Sequence, residues 1–261
     1  MINIVHFIHG LNMGGAETLV KNYALLLNKS KFNVTVLCYE HYDSPYEDIL
    51  QQNSIKVVYV CDKMPLCQKR DAASRVINHY QRYWLVRREL RKLDPDIVHF
   101  HLSLSDYVKF AALTKDVRLF YTQHFDATNL ERDNPKSVAT IKWLMNHYDV
   151  QLIALNDEMR SSMNRIFETC NVKILNNGVD LSIFTNNISQ KEKRVQLNIP
   201  QNAFVVTHVG RFDPIKNHAF LIDVFKQIKE RRPEAFLLMV GRGETEMQIE
   251  EKIKAEGLDD S

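Results

Sequence analysis

The sequence has 261 residues, of which 45% are hydrophobic and 25% are charged, and these ordinary globular values exclude disorder. Its 34 basic and 32 acidic residues leave a formal net charge of +2, so nothing points to nucleic acid as a partner. The sequence has no signal-peptide pattern and no apolar run of the ~20 residues that a membrane span needs, so we expect a soluble, cytoplasmic protein. It also has no C-x-x-C pair, so we expect its four cysteines to be reduced and free: Cys38, Cys61, Cys67 and Cys170.

Short β-branched runs alternate with longer helical patterns up to residue 175. Strands are predicted at Ile4–His9, Val34–Tyr39, Val57–Val60, Ile97–His101, Leu119–Thr122, Gln151–Leu155 and Lys173–Leu175. Helices are predicted at Ala16–Asn28, Ala72–Leu93, Ser103–Leu113 and Ser137–Asn146. Such alternation is typical of a parallel sheet with helices on both faces.

The polar stretch Thr185–Lys193 interrupts this pattern and is interpreted as a linker, which makes residues 1–186 a first domain. Beyond it, strands are predicted at Phe204–Val209 and Phe236–Val240, and helices at His218–Arg231 and Glu244–Glu256. A doubly wound domain normally has about six strands. Two strands would leave an open sheet edge and helix faces without partners. We therefore expect residues 187–261 to be a linker and the first half of a second domain, in a chain that is truncated.

The first predicted strand runs into a glycine turn that opens directly into a helix. Gly14 and Gly15, followed by Glu17, would let backbone amides approach a ligand, and the helix N-terminus favours negative charge. The spacing is not G-x-G-x-x-G, so a dinucleotide site is poorly supported. A purely structural strand-to-helix turn is the alternative.

A second ligand signal follows the strand Phe204–Val209. Arg211 and Lys216 lie five positions apart on one strand-to-helix loop, close enough in sequence to contact one phosphate-rich ligand. Gly241 and Gly243 end the next strand at the same sheet edge, where α/β sheets bind ligands. The alternative is a pair of solvated charges on an exposed loop.

Four segments together resemble the family 4 retaining glycosyltransferases of the GT-B fold, particularly those of bacterial capsule and exopolysaccharide synthesis. They are Gly14-Gly15-Ala16-Glu17, Asn177-Gly178-Val179-Asp180, Gly210-Arg211 with Lys216, and Val240-Gly241-Arg242-Gly243-Glu244. The resemblance implies an α/β architecture of two Rossmann-like parallel-sheet domains, the second incomplete here. One departure is the paired-glutamate motif of the family, which does not occur in the right context.

The resemblance also implies roles for single residues. Arg211 and Lys216 would bind the donor diphosphate, and His124, after the strand Leu119–Thr122, would lie near the reacting sugar as a catalytic residue. No metal and no cofactor would be needed. The remaining positions would line a nucleotide-sugar and acceptor cleft between the domains: Gly14, Gly15, Glu17, Asn177, Gly210, Gly241 and Gly243.

Two further features carry expectations of their own. His99 and His101 alternate on one strand face, but without a third ligand they are weak evidence for a metal, and a structural role is favoured. A structural role for His124 is an equal alternative. The segment Arg82–Lys92 is basic and amphipathic, so a solvated helix face is expected, with contact to anionic lipid as the alternative.

The function that this pattern favours is transfer of a hexose-type sugar from a nucleotide diphosphate sugar, UDP first among nucleotides, to a glycan or lipid-linked acceptor with retention of configuration. The setting would be polysaccharide biosynthesis in the cytoplasm or at the inner face of the membrane. Two alternatives stay open: a truncated, inactive nucleotide-binding fragment, and a nucleotide-sugar epimerase of the same fold.

Overall fold

The structure is a computed structural model that describes residues 1–63, 72–185 and 187–261; Cys67 lies outside the described residues. The chain divides into two compact units, Met1–Asp180 and Leu181–Ser261, six residues before the predicted boundary after residue 186. The three described cysteines, Cys38, Cys61 and Cys170, are free thiols.

Seven parallel strands form the sheet of the first unit, in the order β3-β2-β1-β4-β5-β6-β7. The chain builds outward from β1 on one side and returns to continue from β4 on the other. The strands are β1 (Ile2–Ile8), β2 (Phe32–Cys38), β3 (Lys56–Tyr59), β4 (Ile97–His101), β5 (Arg118–Thr122), β6 (Val150–Ala154) and β7 (Lys173–Ile174).

Helices cover both faces of this sheet, which confirms the predicted arrangement. They are α1 (Gly15–Leu26), α2 (Pro45–Gln52), α3 (Ala72–Leu93), α4 (Ser105–Ala111), α5 (Ala127–Asp133), α6 (Pro135–His147) and α7 (Asp157–Phe167). The helices α2, α5 and α7 were not predicted, although Asn156 accepts a hydrogen bond from the Met159 amide at 2.8 Å and so caps α7.

Alternation along the strands divides the core into two layers. Val5 and Phe7 of β1 point toward α3 to α7, whereas Ile8 belongs to the cluster under α1 and α2. Phe100 and Tyr121 are fully buried in the first layer, where each large side chain contributes about 1.5–3 kcal/mol. The even positions of β1 and the odd positions of β4 thereby share the face that carries α1.

The helix α3 begins and ends where the sequence predicts, but much of its apolar surface is exposed. Leu85, Val86 and Leu90 pack in the core. Tyr80 and Trp84 are 64% and 56% exposed, and Val76 and Ile77 are also exposed. The apolar residues of this helix therefore lie on two faces: one packs in the core against the sheet, and the other is exposed.

The second unit contains a two-stranded parallel sheet with a small core around Phe212, Ile222 and Ile249. Its elements are α8 (Gln190–Gln196), β8 (Phe204–Val209), α9 (His218–Arg231), β9 (Ala235–Val240) and α10 (Glu246–Ala255), with 3₁₀ turns at Leu181–Phe184 and Pro214–Lys216. The predicted linker is wrong in its last residues, because Ser189 and Glu192 form a capping box that starts α8.

Candidate functional site

Because all strands of the first unit are parallel, the segments that follow them lie at one edge of the sheet. The glycine turn follows β1, His124 follows β5, and Asn177 follows β7. β1 and β5 flank β4, so the turn and His124 follow strands that are separated by one strand of the sheet. Asn177 is exposed beside the outermost strand, two positions farther along the sheet.

The glycine turn leaves open space at one of its two positions. A Cβ added to Gly15 would meet nothing within 4 Å, whereas one added to Gly14 would lie 2.3 Å from the flexible end of Glu17. Gly14 is the N-cap of α1 in extended conformation and offers no side-chain cap. The packing of this turn therefore does not itself demand glycine at position 15.

His124 is half-buried beside a deeper histidine. Its Nε2 lies 3.1 Å from Nδ1 of His101, which has no exposed surface. Burial lowers the pKa of His124 to about 4, so the ring is neutral near pH 7. A neutral imidazole has one N–H and one lone pair, and because Nε2 faces His101, Nδ1 is the nitrogen that can make a single hydrogen bond to a hydroxyl group.

Beneath His124 the structure gathers a cluster that the sequence only partly indicated. His6 pairs with His99 across β1 and β4, and its Nδ1 lies 3.5 Å from Nε2 of His101. The His99 Nε2 is 2.7 Å from the Thr122 hydroxyl. Burial lowers the pKa of His6 to about 4 and those of His99 and His101 well below the usual value.

His6 is the third member that the sequence analysis did not supply. Nitrogen atoms of His6, His99 and His101 lie within 4.8 Å of one another, a spacing at which histidines can hold a metal ion. Several of these nitrogens already contact one another, Thr122 or His124.

In the second unit the loops after β8 and β9 are joined through their backbones. The Gly210 amide donates to Val240 at 2.9 Å, and the Phe212 amide donates to Arg242 at 2.9 Å. A Cβ on Gly241 would lie 1.9 Å from the Gly210 carbonyl oxygen, and one on Gly243 would lie 2.2 Å from that of Phe212. These two glycines are therefore required by contact between the loops, whatever ligand they also admit.

The two predicted phosphate-binding cations lie on the first of these loops. Arg211 donates from Nη2 to Oδ2 of Asp213 at 2.5 Å, and the other oxygen of Asp213 accepts from the Ile215 amide at 3.0 Å. These bonds hold the pKa of the Asp213 carboxyl below its usual value, the Ile215 amide contributing most. Lys216 ends the following 3₁₀ turn and is exposed.

Asp213 therefore orients Arg211 while leaving most of its guanidinium donors for a ligand. The sequence analysis did not identify Asp213, although an aspartate two residues after an arginine in a turn is a recognisable signal. Asn217 has φ of 49°, and its side chain caps α9 by accepting a hydrogen bond from the Phe220 amide. This bond fixes the end of the loop to the start of the helix.

Family models match nearly the whole chain. The model described as Glycosyltransferase Family 4 matches residues 13–183, and the model described as Glycosyl transferases group 1 matches residues 189–261. Among the described residues, no helix is both long and apolar enough to cross a membrane.

Two curated relatives are similar over most of the chain. EpsF of Bacillus subtilis (strain 168), a protein named as a glycosyltransferase, is 26% identical over 98% of this chain and 66% of its own length. The UDP-Gal:alpha-D-GlcNAc-diphosphoundecaprenol alpha-1,3-galactosyltransferase of Escherichia coli is 28% identical over 84% of this chain and 56% of its own length. The chain thus spans less than two thirds of the length of either relative.

Solved structures share the fold at low sequence identity. The crystal structure of Alr3699/HepE of Anabaena in complex with UDP and glucose has a TM-score of 0.74 at 19% identity, covering 99% of this chain and 67% of that one. The sucrose-phosphate synthase of Thermosynechococcus elongatus has a TM-score of 0.72 at 15% identity, covering 100% of this chain and 69% of that one. These similarities confirm the predicted GT-B fold.

The buried histidines predict an acid-labile first unit. Their pKa values are depressed in the folded protein, so between about pH 6.5 and pH 4 the unfolded chain binds more protons and the free energy of unfolding falls. His6 alone should cost about 2 kcal/mol between pH 7 and pH 5. Urea titrations followed by fluorescence measure this in the first unit, which contains both tryptophans, Trp84 and Trp143. In the His6→Gln variant, the free energy of unfolding should fall less between pH 7 and pH 5, by the share assigned to His6. The same dependence on pH as in the wild type would contradict the low pKa of His6.

The glycine contacts predict unequal effects of alanine at two positions. Gly241→Ala should destabilise the second unit by about 1–3 kcal/mol, because its Cβ would collide with backbone. Hydrogen exchange of the β8 and β9 amides measures the loss. Gly15→Ala is the control, since its added Cβ meets open space and alanine favours a helix. If the β8 and β9 amides exchange equally slowly in both variants, the contact between the loops does not determine the stability of the second unit.

Proposed function

The chain belongs to glycosyltransferase family 4, and we propose that the protein transfers a hexose-type sugar from a nucleotide diphosphate sugar to a hydroxyl of a glycan or lipid-linked acceptor, with retention of configuration. The observation that carries this proposal is the loop after β8, which holds Arg211 and Lys216 and is hydrogen-bonded through its backbone to the loop after β9. Polysaccharide biosynthesis is the proposed setting.

Arg211 and Lys216 are proposed to bind the donor diphosphate. When the bond between sugar and phosphate breaks, negative charge grows on the departing diphosphate, and cations placed beforehand stabilise it most at that moment. The guanidinium keeps free donors beyond its bond to Asp213, and it can bind two phosphate oxygens at once. The N-terminus of α9 adds partial positive charge near Lys216.

His124 is proposed to contact the transferred sugar as the catalytic residue. Because burial keeps the ring neutral, it would donate a hydrogen bond to a sugar hydroxyl instead of adding a positive charge beside an anomeric carbon that itself becomes positive. Gly14 and Gly15 are proposed to admit a ligand close to the backbone, with Glu17, Asn177, Gly210, Gly241 and Gly243 as further contacts.

The names of similar proteins support UDP as the nucleotide and a lipid-linked acceptor. The Escherichia coli relative is named for a UDP-Gal donor and a diphosphoundecaprenol acceptor, and the Anabaena structure contains UDP and glucose. We propose that transfer requires no metal ion, because Arg211 and Lys216 supply the cationic groups. An assay that continues at full rate in EDTA would support this.

The exposed face of α3 is proposed to contact an anionic membrane surface. Tyr80, Trp84 and Phe110 line an apolar groove of about 630 Å³ that also includes Arg88, and the neighbouring Arg87 lies over Phe110. Aromatic side chains beside arginines match the boundary between lipid headgroups and acyl chains. Docking there would bring the enzyme to a lipid-linked acceptor.

The direct test is donor turnover by the full-length protein. A transferase releases UDP from a UDP-sugar in proportion to acceptor glycosylated, and NMR of the product gives the anomeric configuration. Conversion of the nucleotide sugar without UDP release would indicate an epimerase. Donor binding without turnover would indicate a nucleotide-binding protein without transferase activity.

Substitution of the two cations should distinguish diphosphate binding from solvated charge. Arg211→Ala and Lys216→Ala should each lower kcat about 100-fold or more, while leaving the thermal unfolding midpoint unchanged. Arg211→Lys should recover only part of the rate, because it cannot bind two oxygens in a plane. Lys254→Ala removes the same charge from exposed α10 and is the control. Near-normal rates in both alanine variants would remove the assignment.

The membrane proposal predicts a dependence on lipid charge. The protein should co-sediment with vesicles containing phosphatidylglycerol but not with pure phosphatidylcholine, and added salt should weaken binding. Arg87→Gln should weaken it about fivefold, since each basic residue near the surface is worth about 1 kcal/mol. Lys115→Gln, an exposed charge elsewhere in the first unit, is the control. Equal binding to both vesicle types would contradict the proposal.

A further inference from the structure

Three imidazoles form a continuous row from the interior of the first unit to its candidate site. His6 Nδ1 lies 3.5 Å from His101 Nε2, and His101 Nδ1 lies 3.1 Å from His124 Nε2. The row crosses from β1 through β4 to the end of β5. His6 is 2% exposed and His101 is fully buried, while His124 reaches the surface of the sheet edge.

The middle ring of the row is neutral. His101 has no contact with solvent, and a positive charge on it would be buried beside His99, His6 and His124 and would compete with any charge on those rings. Burial and these neighbours hold the pKa of His101 well below its usual value. A neutral imidazole carries one N–H and one lone pair, so His101 donates to one neighbour and accepts from the other.

Two directions of hydrogen bonding are then possible. If His124 donates to His101 and His101 donates to His6, the remaining proton of His6 is on Nε2. That nitrogen is buried and has no hydrogen-bond partner among the residues that the structure describes, so this direction leaves its N–H unsatisfied in the interior. In the opposite direction His6 donates from Nδ1, and only a lone pair is left without a partner. Unpaired buried donors are the rarer of the two in proteins.

We propose that His6 and His101 are positioning residues that hold His124 in the tautomer protonated at Nδ1, so that it presents an N–H to an oxygen of the donor sugar. His101 occupies the lone pair of His124 Nε2, which leaves the other nitrogen as the donor. The role of the sugar rests on the proposed function, whereas the tautomer is a property of the protein alone.

His99 provides an internal control for this row. Its ring centre is 4.2 Å from that of His101, and it is nearly as buried. Its Nε2 contacts the Thr122 hydroxyl, however, and no hydrogen bond joins it to His124 among the described residues. A change at His99 disturbs the same part of the core without breaking the row.

The tautomer can be read without substrate. In full-length protein labelled with ¹⁵N-histidine, long-range ¹H–¹⁵N spectra at pH 7 should assign His124 as protonated at Nδ1 and bare at Nε2, and His101 likewise. His124 protonated at Nε2 would overturn the proposal. So would one equivalent of tightly bound zinc on His6 and His101, because a nitrogen that ligates a metal cannot take part in this row.

Variants then test whether the row acts on turnover. His101→Leu should abolish the preference of His124 for Nδ1 and lower kcat about tenfold with little change in KM. His101→Asn, whose amide can donate from the position of Nδ1, should restore most of the preference of His124 for Nδ1 and most of kcat. His99→Gln should change neither the tautomer nor kcat. Loss of kcat in His101→Leu with an unchanged His124 spectrum would contradict a positioning role.

The two proposals fail in different ways. If His124→Ala leaves turnover unchanged while wild-type His124 is protonated at Nδ1, the catalytic role of His124 is wrong and the row stands as a feature of the fold. If His124→Ala removes turnover while the wild-type proton is on Nε2, the catalytic role stands and the row is wrong.

Discussion

Parallel pairing of β1 with β4, in the register that sets His6 opposite His99, is the constraint on which the site of the first unit depends. Because side chains alternate along a strand, this register sends the histidines to the face under α1 and sends Val98 and Phe100 to the opposite core layer. A shift of one residue would exchange the two sets and bury imidazoles among aliphatic side chains. The pairing that builds the core thus also builds the imidazole row.

The candidate sites of the two units differ in charge: the first is built from neutral buried rings and the second from exposed cations. Around His124, burial removes water, keeps the rings neutral and leaves hydrogen-bond direction as the useful property. On the loop after β8, Arg211 and Lys216 stay exposed and charged, and Asp213 orients one of them at a small cost in net charge. In the proposed transfer, a neutral donor would suit a sugar whose reacting carbon becomes positive, and fixed cations would suit a leaving group that becomes negative.

Local patterns predicted the elements whose signals are local. The bounds of β4, α3 and α9 follow from β-branched runs, helical spacing and a proline, and the loop with Arg211 and Lys216 lies at a strand end as expected. The short polar helix α7 was missed although Asn156 marks its start, and the Ser189 capping box lay unnoticed inside a predicted linker. The helix α8 buries no residue, so no apolar period marks it, whereas α7 carries Met159, Met163 and Ile166 at helical spacing and its signal was overlooked.

Other features depend on contacts far apart in sequence and could not be predicted from local spacing. His6 and His101 are 95 residues apart, and only the return of the chain to the centre of the sheet brings them together. Likewise, the spacing of Tyr80 and Trp84 predicts a helix face but does not say what covers it. Strand order and burial are tertiary properties, and both had to come from the structure.

The glycines differ in whether the fold itself requires them. Gly241 and Gly243 have no room for a Cβ because backbone of the adjoining loop occupies that space, so their presence is explained without any ligand. Gly15 has room, begins a helix in which alanine would be more stable, and yet is glycine. No contact within the described first unit accounts for that choice. Approach of a ligand to the backbone at the start of α1, as proposed for Gly15, would account for it, and this distinguishes position 15 from Gly241 and Gly243.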